Sequence, residues 1–503
     1  MNLLILLLVP LATAIAVLVL KNTQHVRRVS LAGAVVQLAA SLALLFAFRS
    51  ERAGGNNGEM LFQQKFDWFP SLGISVHMGV DGISVAMILL TAFVVLAGVL
   101  VSWNVQKMTR EFFFLLVLLS LGAYGFFISL DLFILFFFLE IAVIPKYLLI
   151  GIWGSGKKEY SANKLALMLM GGSALVLVGL LGVYFAGGRT FDLLQLSQQP
   201  LPLDMQMVLF PLLFVGFGVF TALFPFHTWV PDGHSSAPTA GSMFLAGISM
   251  KLGGYGCLRV ATYLMPEAAQ EYSIYIVVLA AIAILYGAFA TMMQKDLKYI
   301  NAYSSVSHCG FVLLGIGMLT KTAITGAVLQ MVSHGLMTAL FFAVIGMIYE
   351  RTHTRMVDQM GGLMKTMPFI TTVLFIVGLC SLGLPGFSGF VAEMTVFMGS
   401  WERAEAGYRL ATIAACMSIV VTAVYILRAV SKTAMGPSGS APGSLTFQDA
   451  KWNEKLAAGL LVAGIVVIGV APFWLSDLVQ PGSEIIANKI EAARPVISVL
   501  PIK

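Results

Sequence analysis

Charge is what this 503-residue chain has least of. Asp, Glu, Lys and Arg together make up 11% of it, where an ordinary soluble domain carries about 25%. That is too little to cover a water-facing surface, and 58% of the residues are hydrophobic. A soluble enzyme, a disordered scaffold and a secreted disulfide module are excluded. Cysteine is also scarce. Cys257, Cys309, Cys380 and Cys416 are scattered through apolar runs without metal-ligand spacing, and they read as small core residues. No haem, iron–sulfur or zinc signature is present, and no glycine-rich phosphate loop follows a strand. The chain is expected to bring no redox cofactor, nucleotide or metal of its own. Its net charge of +6 is spread thinly over short loops, so nucleic acid is not an expected partner.

What is abundant is long, uninterrupted apolar sequence. A transmembrane barrel would alternate apolar and polar residues, but these runs are continuous and near twenty residues long. The chain reads as an all-α polytopic membrane protein. Fourteen spans are expected, at about 2–20, 29–48, 82–104, 112–129, 131–152, 164–186, 207–227, 237–263, 273–293, 300–319, 322–349, 367–402, 408–430 and 454–476. The first lacks a cationic leader and a cleavage site, so it reads as an uncleaved helix. Loops after odd-numbered spans hold seventeen Lys and Arg, and the other side holds ten. The positive-inside rule then puts both termini outside the cytoplasm, on the periplasmic side of a bacterial inner membrane. Trp103, Trp153, Trp229, Trp401, Trp452 and Trp474 fall near span ends, as an interfacial belt requires, and Trp68 falls in a loop.

Two spans are interrupted. The seventh ends in Phe224-Pro225-Phe226-His227-Thr228-Trp229-Val230-Pro231-Asp232, and the twelfth contains Leu384-Pro385-Gly386-Phe387-Ser388-Gly389. Proline removes a backbone donor and glycine lets the chain bend, so both are expected breaks. They lie five spans apart. An odd offset turns the second copy upside down, which is the pattern of transporter-like halves with ion sites near the midplane.

Ionisable residues inside apolar spans cost roughly 2.5–3.5 kcal/mol each on insertion scales, so they normally face a partner or water. Glu140 lies about 13 Å along its span, near mid-depth, in a surround that suits proton exchange. Its plainer role is a structural carboxylate paired with a lysine. Lys251 is in the middle of the eighth span, too deep to snorkel, and suits a proton relay. Glu393 lies eight residues past the break at Pro385. His308 and His334 are deep in successive spans among small polar neighbours, as a hydrated proton path needs. Lys146 follows Pro145 on the span of Glu140. Six residues of helix turn 600°, so the two point about 120° apart and are not expected to pair directly. His227 and His234 are expected at the interface, Arg259 and Arg428 as anchors near span ends, and His77 and Asp81 as structural groups.

These residues carry a family likeness. The stretch from Pro225 through His227, Pro231, His234 and Pro238 to Ser242 resembles the antiporter-like subunits of respiratory complex I, most closely the M-type branch. Lys251-Leu252-Gly253-Gly254-Tyr255-Gly256, Ala302 to His308 and Leu384 to Glu393 support it, and the likeness runs over about 75–430. It implies fourteen helices with two inverted five-helix repeats, spans 4–8 and 9–13. The corresponding segments are 1–110, 111–265, 266–433 and 434–503. It implies that Glu140, Lys251 and Glu393 match proton-channel residues and that His308 and His334 match a central polar axis. Quinone reduction elsewhere in the complex would then drive proton transfer here. Flavin, iron–sulfur clusters and quinone would sit in partner subunits. The implied partners are L-like and N-like antiporter-like subunits, the lateral helix of the L-like subunit, and lipid. The long amphipathic helix that an L-type subunit carries beyond its last span is not expected here. One departure stands out. The family pattern places a lysine five residues ahead of the Pro-x-His motif, and here that position is Phe220. Lys146 is the expected substitute, reaching from the fifth span. Two other readings share the fold: a subunit of a multi-part sodium/proton antiporter, and the membrane arm of a hydrogenase-type complex.

Overall fold

The computed structural model describes residues 2–436 and 447–493; Arg494 and Lys503, counted in the charge bias, lie outside these. The apolar runs fold as helices, and many begin at a side chain that satisfies their first free amides. Helix α1 (Ile5–Val19) and α2 (Thr23–Ala53) lead into two strands, β1 (Leu61–Phe69) and β2 (Ile74–Val80). Next come α3 (Gly82–Val101), α4 (Thr109–Ile128), α5 (Leu132–Trp153), α6 (Lys158–Ala186) and the short α7 (Leu193–Gln198). Asp81 caps α3 through Ser84 N, Asp131 caps α5 through Phe133 N and Ile134 N, and Asp192 caps α7 through Leu194 N.

The expected breaks are present. Helix α8 (Leu203–Thr221) stops where Ala222 takes a left-handed conformation, and the chain resumes as α9 (Trp229–Ser236). Then α10 (Thr239–Phe244) and α11 (Met250–Gly256) form one helical series with π-helical turns at Leu245–Ser249 and Cys257–Thr262. Helices α12 (Pro266–Met292), α13 (Leu297–Gly317) and α14 (Lys321–Thr352) follow. After α15 (Leu363–Thr366), α16 (Pro368–Ser381) ends at the second break and α17 (Ser388–Trp401) resumes. Helices α18 (Ala406–Ala434), α19 (Trp452–Val470) and α20 (Phe473–Ala492) complete the order.

Ten helices among the described residues are long and apolar enough to cross a membrane: α2–α6, α8, α12, α14, α18 and α19. The hub is α14. Its apolar window is wholly buried, and it touches α3, α10, α13, α16, α17, α19 and α20. Everything it carries at mid-length is therefore shielded from lipid.

Two parts depart from the expected arrangement. Trp68 lies in β1, not in a loop, and β1 pairs antiparallel with β2, with Lys65 opposite His77. The strand signal is weak because two register shifts break the alternation of β1. The hairpin is pinned by Asp192, which accepts from Lys65 Nζ at 2.9 Å and lies 3.0 Å from His77 Nδ1. Burial would push this carboxyl up, but His77 and Lys65 outweigh it and hold it well below the usual carboxylate range. The second departure is α20. This twenty-residue helix folds back on α3, α12 and α14, where only a tail was expected after the last span. Pro481, Gly482 and its charged face keep it from reading as an apolar run. Gly82 lets α20 approach α3 closely, because a Cβ there would stand 1.7 Å from Leu478 O.

Candidate functional site: a buried polar axis

Four of the singled-out side chains meet in one row through the core. Lys251 stands at the start of α11, directly after a π-helical turn. Such turns widen the helix and recur at functional positions. Its Nζ donates to Ala246 O at 2.5 Å and lies 2.8 Å from His334 Nδ1. His334 comes from α14 and is 1% exposed; its Nε2 has no partner among the described residues. The rings of His334 and His308 stand 5.4 Å apart between centroids. His308, on α13, lies 3.2 Å by Nδ1 from Glu393 Oε1 on α17 and 3.3 Å by Nε2 from Ser381 Oγ on α16. The row therefore runs Lys251, His334, His308, Glu393, and joins the two broken regions through α13 and α14.

The twelfth-span break shapes the Glu393 end. Gly383 has φ +73°, which glycine alone adopts freely, and a Cβ there would lie 2.9 Å from Glu393 Oε2. The carboxylate thus rests against the open turn. Ser333 Oγ donates to Ser388 Oγ at 2.8 Å, tying α14 to the first residue of α17.

The remaining expected residues sit elsewhere. Glu140 and Lys146 share α5 and form no ion pair, in keeping with their angular offset. Lys146 is 1% exposed and places Nζ 5.7 Å from the Phe220 ring centroid. Helices α8 and α11 come into backbone contact close by, where a Cβ on Gly253 would lie 2.3 Å from Thr221 Oγ1. His227 and His234 are both buried, and neither ring nitrogen of either has a partner among the described residues. His227 stacks on Phe224, and His234 stacks on Phe342 of α14. After the break, α9 packs on α6 and α13, and α10 packs on α14. Arg259 forms a buried ion pair with Asp81, and Arg428 donates to Met292 O.

Four groups escaped the sequence reading. Lys298 counted as a loop cation, yet it is buried and donates to Ala237 O at 2.6 Å. Its place just inside an Asp-capped apolar helix was the available signal. Gln330 lies 3.4 Å from His308 Nδ1, one turn ahead of His334. Ser381 and Cys309 also face the histidines, Cys309 Sγ at 3.7 Å from His334 Nδ1. Small residues of this kind carry no signal until their neighbours are placed.

Chemically, the row can accept, hold and pass a proton. Two unit charges about 4 Å apart interact by about 4 kcal/mol at an effective dielectric constant of 20, so a charge change at one member strongly biases the next.

Comparison with known proteins adds the following. The family profile described as "NADH:quinone oxidoreductase/Mrp antiporter, TM" matches residues 129–421. The chain is 38% identical over 445 residues to NAD(P)H-quinone oxidoreductase chain 4 2 of Microcystis aeruginosa, covering 83% of this chain and 80% of that one. It is 34% identical over 451 residues to NADH-quinone oxidoreductase subunit M of Rickettsia bellii, covering 89% of each. Among solved structures, a chain of respiratory complex I from Thermus thermophilus with bound NADH matches with a TM-score of 0.88 at 27% identity, covering 97% of this chain and 99% of that one. A chain of the Mrp complex from Dietzia sp. DQ12-45-1b shares the fold, with a TM-score of 0.85 at 20% identity and 98% of each covered.

Proposed function

The chain belongs to the NADH:quinone oxidoreductase/Mrp antiporter membrane-subunit family, in its chain 4/subunit M group, and from that premise we propose how it works. It is a proton-translocating membrane-arm subunit of a complex I-type enzyme. The observation that carries the mechanism is the contact row Lys251–His334–His308–Glu393. Energy released by quinone reduction elsewhere changes the charge at one end. Each change alters the proton affinity of the next group, so protons enter from one side and leave by Glu393 on the other. Glu140 forms the part of the path toward a neighbouring subunit. This chain supplies no redox cofactor, and the flavin, iron–sulfur clusters and quinone belong to its partners.

The membrane reading extends to fourteen crossings. To the ten long apolar helices it adds α1, the α10–α11 series, α13 and the α16–α17 pair. Two inverted repeats are supported by matched details. Asp131 caps α5 and Asp296 caps α13, each in an isolated β-bridge, and a broken pair follows in each half. Both termini then lie on the periplasmic side of a bacterial inner membrane. L-like and N-like subunits flank the chain, and the lateral helix of the L-like subunit runs along it.

A mild-detergent pull-down of the tagged chain tests the assembly. Co-purification of iron–sulfur and quinone-site subunits is the expected result. Recovery of small membrane subunits alone would replace this reading with a cation/proton antiporter.

A further inference from the structure

The Lys251–Glu393 row leaves one buried cation unexplained. Among the described residues, the Nζ of Lys146 has neither a hydrogen-bond partner nor an ion pair. Its contact is with the Phe220 ring, 5.7 Å away at the C-terminal end of α8. Glu140, six residues earlier, has an Oε1 that is also buried without a partner among the described residues. Between them, Pro145 deprives the carbonyl of Ile141 of its helical donor. One stretch of α5 thus carries three polar groups without a partner among the described residues.

The energetics do not favour such an arrangement for structure alone. A cation–π contact offsets only part of the cost of burying an unpaired ion. A group so placed exchanges its proton or draws in water. Phe220 lies two residues before the left-handed Ala222, and Thr221 beside it abuts Gly253, two residues past Lys251. The ammonium therefore lies against the end of α8 that packs on α11, the helix carrying Lys251.

We infer that Lys146 is a proton-exchanging station of this subunit, linking Glu140 to Lys251 from the space over Phe220, and that what matters there is the position of the charge and not the helix that carries it. This rests on the proton-translocating reading above. Because the two side chains meet tip to face across α5 and α8, a lysine at position 220 would deliver its charge to the same space.

The test uses the intact complex in liposomes and reads protons moved per electron, a ratio independent of how much complex assembles. The variants are Lys146→Met, the exchange Lys146→Phe with Phe220→Lys, and Lys251→Met as a reference. The expected result is a lowered ratio for Lys146→Met, restored by the exchange. An unchanged ratio for Lys146→Met, with a lowered one for Lys251→Met, overturns the inference and leaves the wider reading standing. A lowered ratio that the exchange does not restore also overturns it. Unchanged ratios for both single variants overturn the wider reading. If Lys146→Met fails to assemble, the exchange decides alone: full output supports the inference, and output lowered to the Lys251→Met level refutes it.

Discussion

Replacing His334 by Leu should cut the row in two. Lys251 Nζ now faces His334 Nδ1 at 2.8 Å, and the next titratable ring, His308, stands a further 5.4 Å away by centroids. At an effective dielectric constant of 20, unit charges 2.8 Å apart couple by about 6 kcal/mol, and charges roughly 8 Å apart by about 2 kcal/mol. Losing the imidazole therefore removes about 4 kcal/mol of coupling between Lys251 and its next proton-binding neighbour, which is about a 10³-fold change in proton affinity. A relay step of this kind typically contributes 10²–10⁴-fold in rate. The assay is quinone-reductase turnover with calibrated dye quenching in liposomes containing the assembled complex. The expected result is a lower proton output per electron and slowed coupled turnover. His334→Gln should fail similarly, because it keeps a hydrogen bond but cannot take up a proton. An unchanged proton output in both variants, with normal turnover, would refute the row as a path.

Two further predictions concern the scaffold around the row. Arg259→Met leaves Asp81 buried without its cation, since both side chains are 2% exposed. Loss of one partner of a buried pair costs about 3–5 kcal/mol, so the thermal aggregation midpoint should fall, and adding Asp81→Asn should recover most of it. Asp192 is held well below the usual carboxylate range by His77 and Lys65 against the effect of burial. A depressed group stabilises the fold above its unfolded value, near pH 3.9, and loses that contribution only as pH falls toward its folded value. Hydrogen-exchange protection of β1 should thus decline as pH falls below about pH 4, and Asp192→Asn should lower it at neutral pH.

Much of the architecture was legible because its causes are local. Apolar run length marks a span, and Pro225, Pro385 and Gly386 mark backbone that cannot continue a helix; the structure interrupts the chain at both places. The burial of Lys251, His308, His334 and Glu393 was likewise legible, because an ionisable residue in an apolar run is costly wherever the helix packs. The β1–β2 hairpin was not legible, since its alternation is broken by two register shifts and its docking depends on Asp192, far away in sequence. Lys298 looked like any other loop cation until α13 was packed against the Ala237 carbonyl.

Amino-acid order alone therefore determined that the chain is a bundle of apolar helices, where two of them break, and that ionisable side chains within the apolar runs carry a desolvation cost. Those are properties of short segments, governed by hydrophobic transfer and backbone sterics. Only the tertiary structure decided which of these groups meet. Lys251 and His334 are 83 residues apart, and His308 reaches Glu393 on a third helix. It also decided that Lys146 ends over Phe220 without a partner. Such meetings depend on how α11, α13, α14 and α17 settle against one another, a balance of many packing contacts that no single segment encodes.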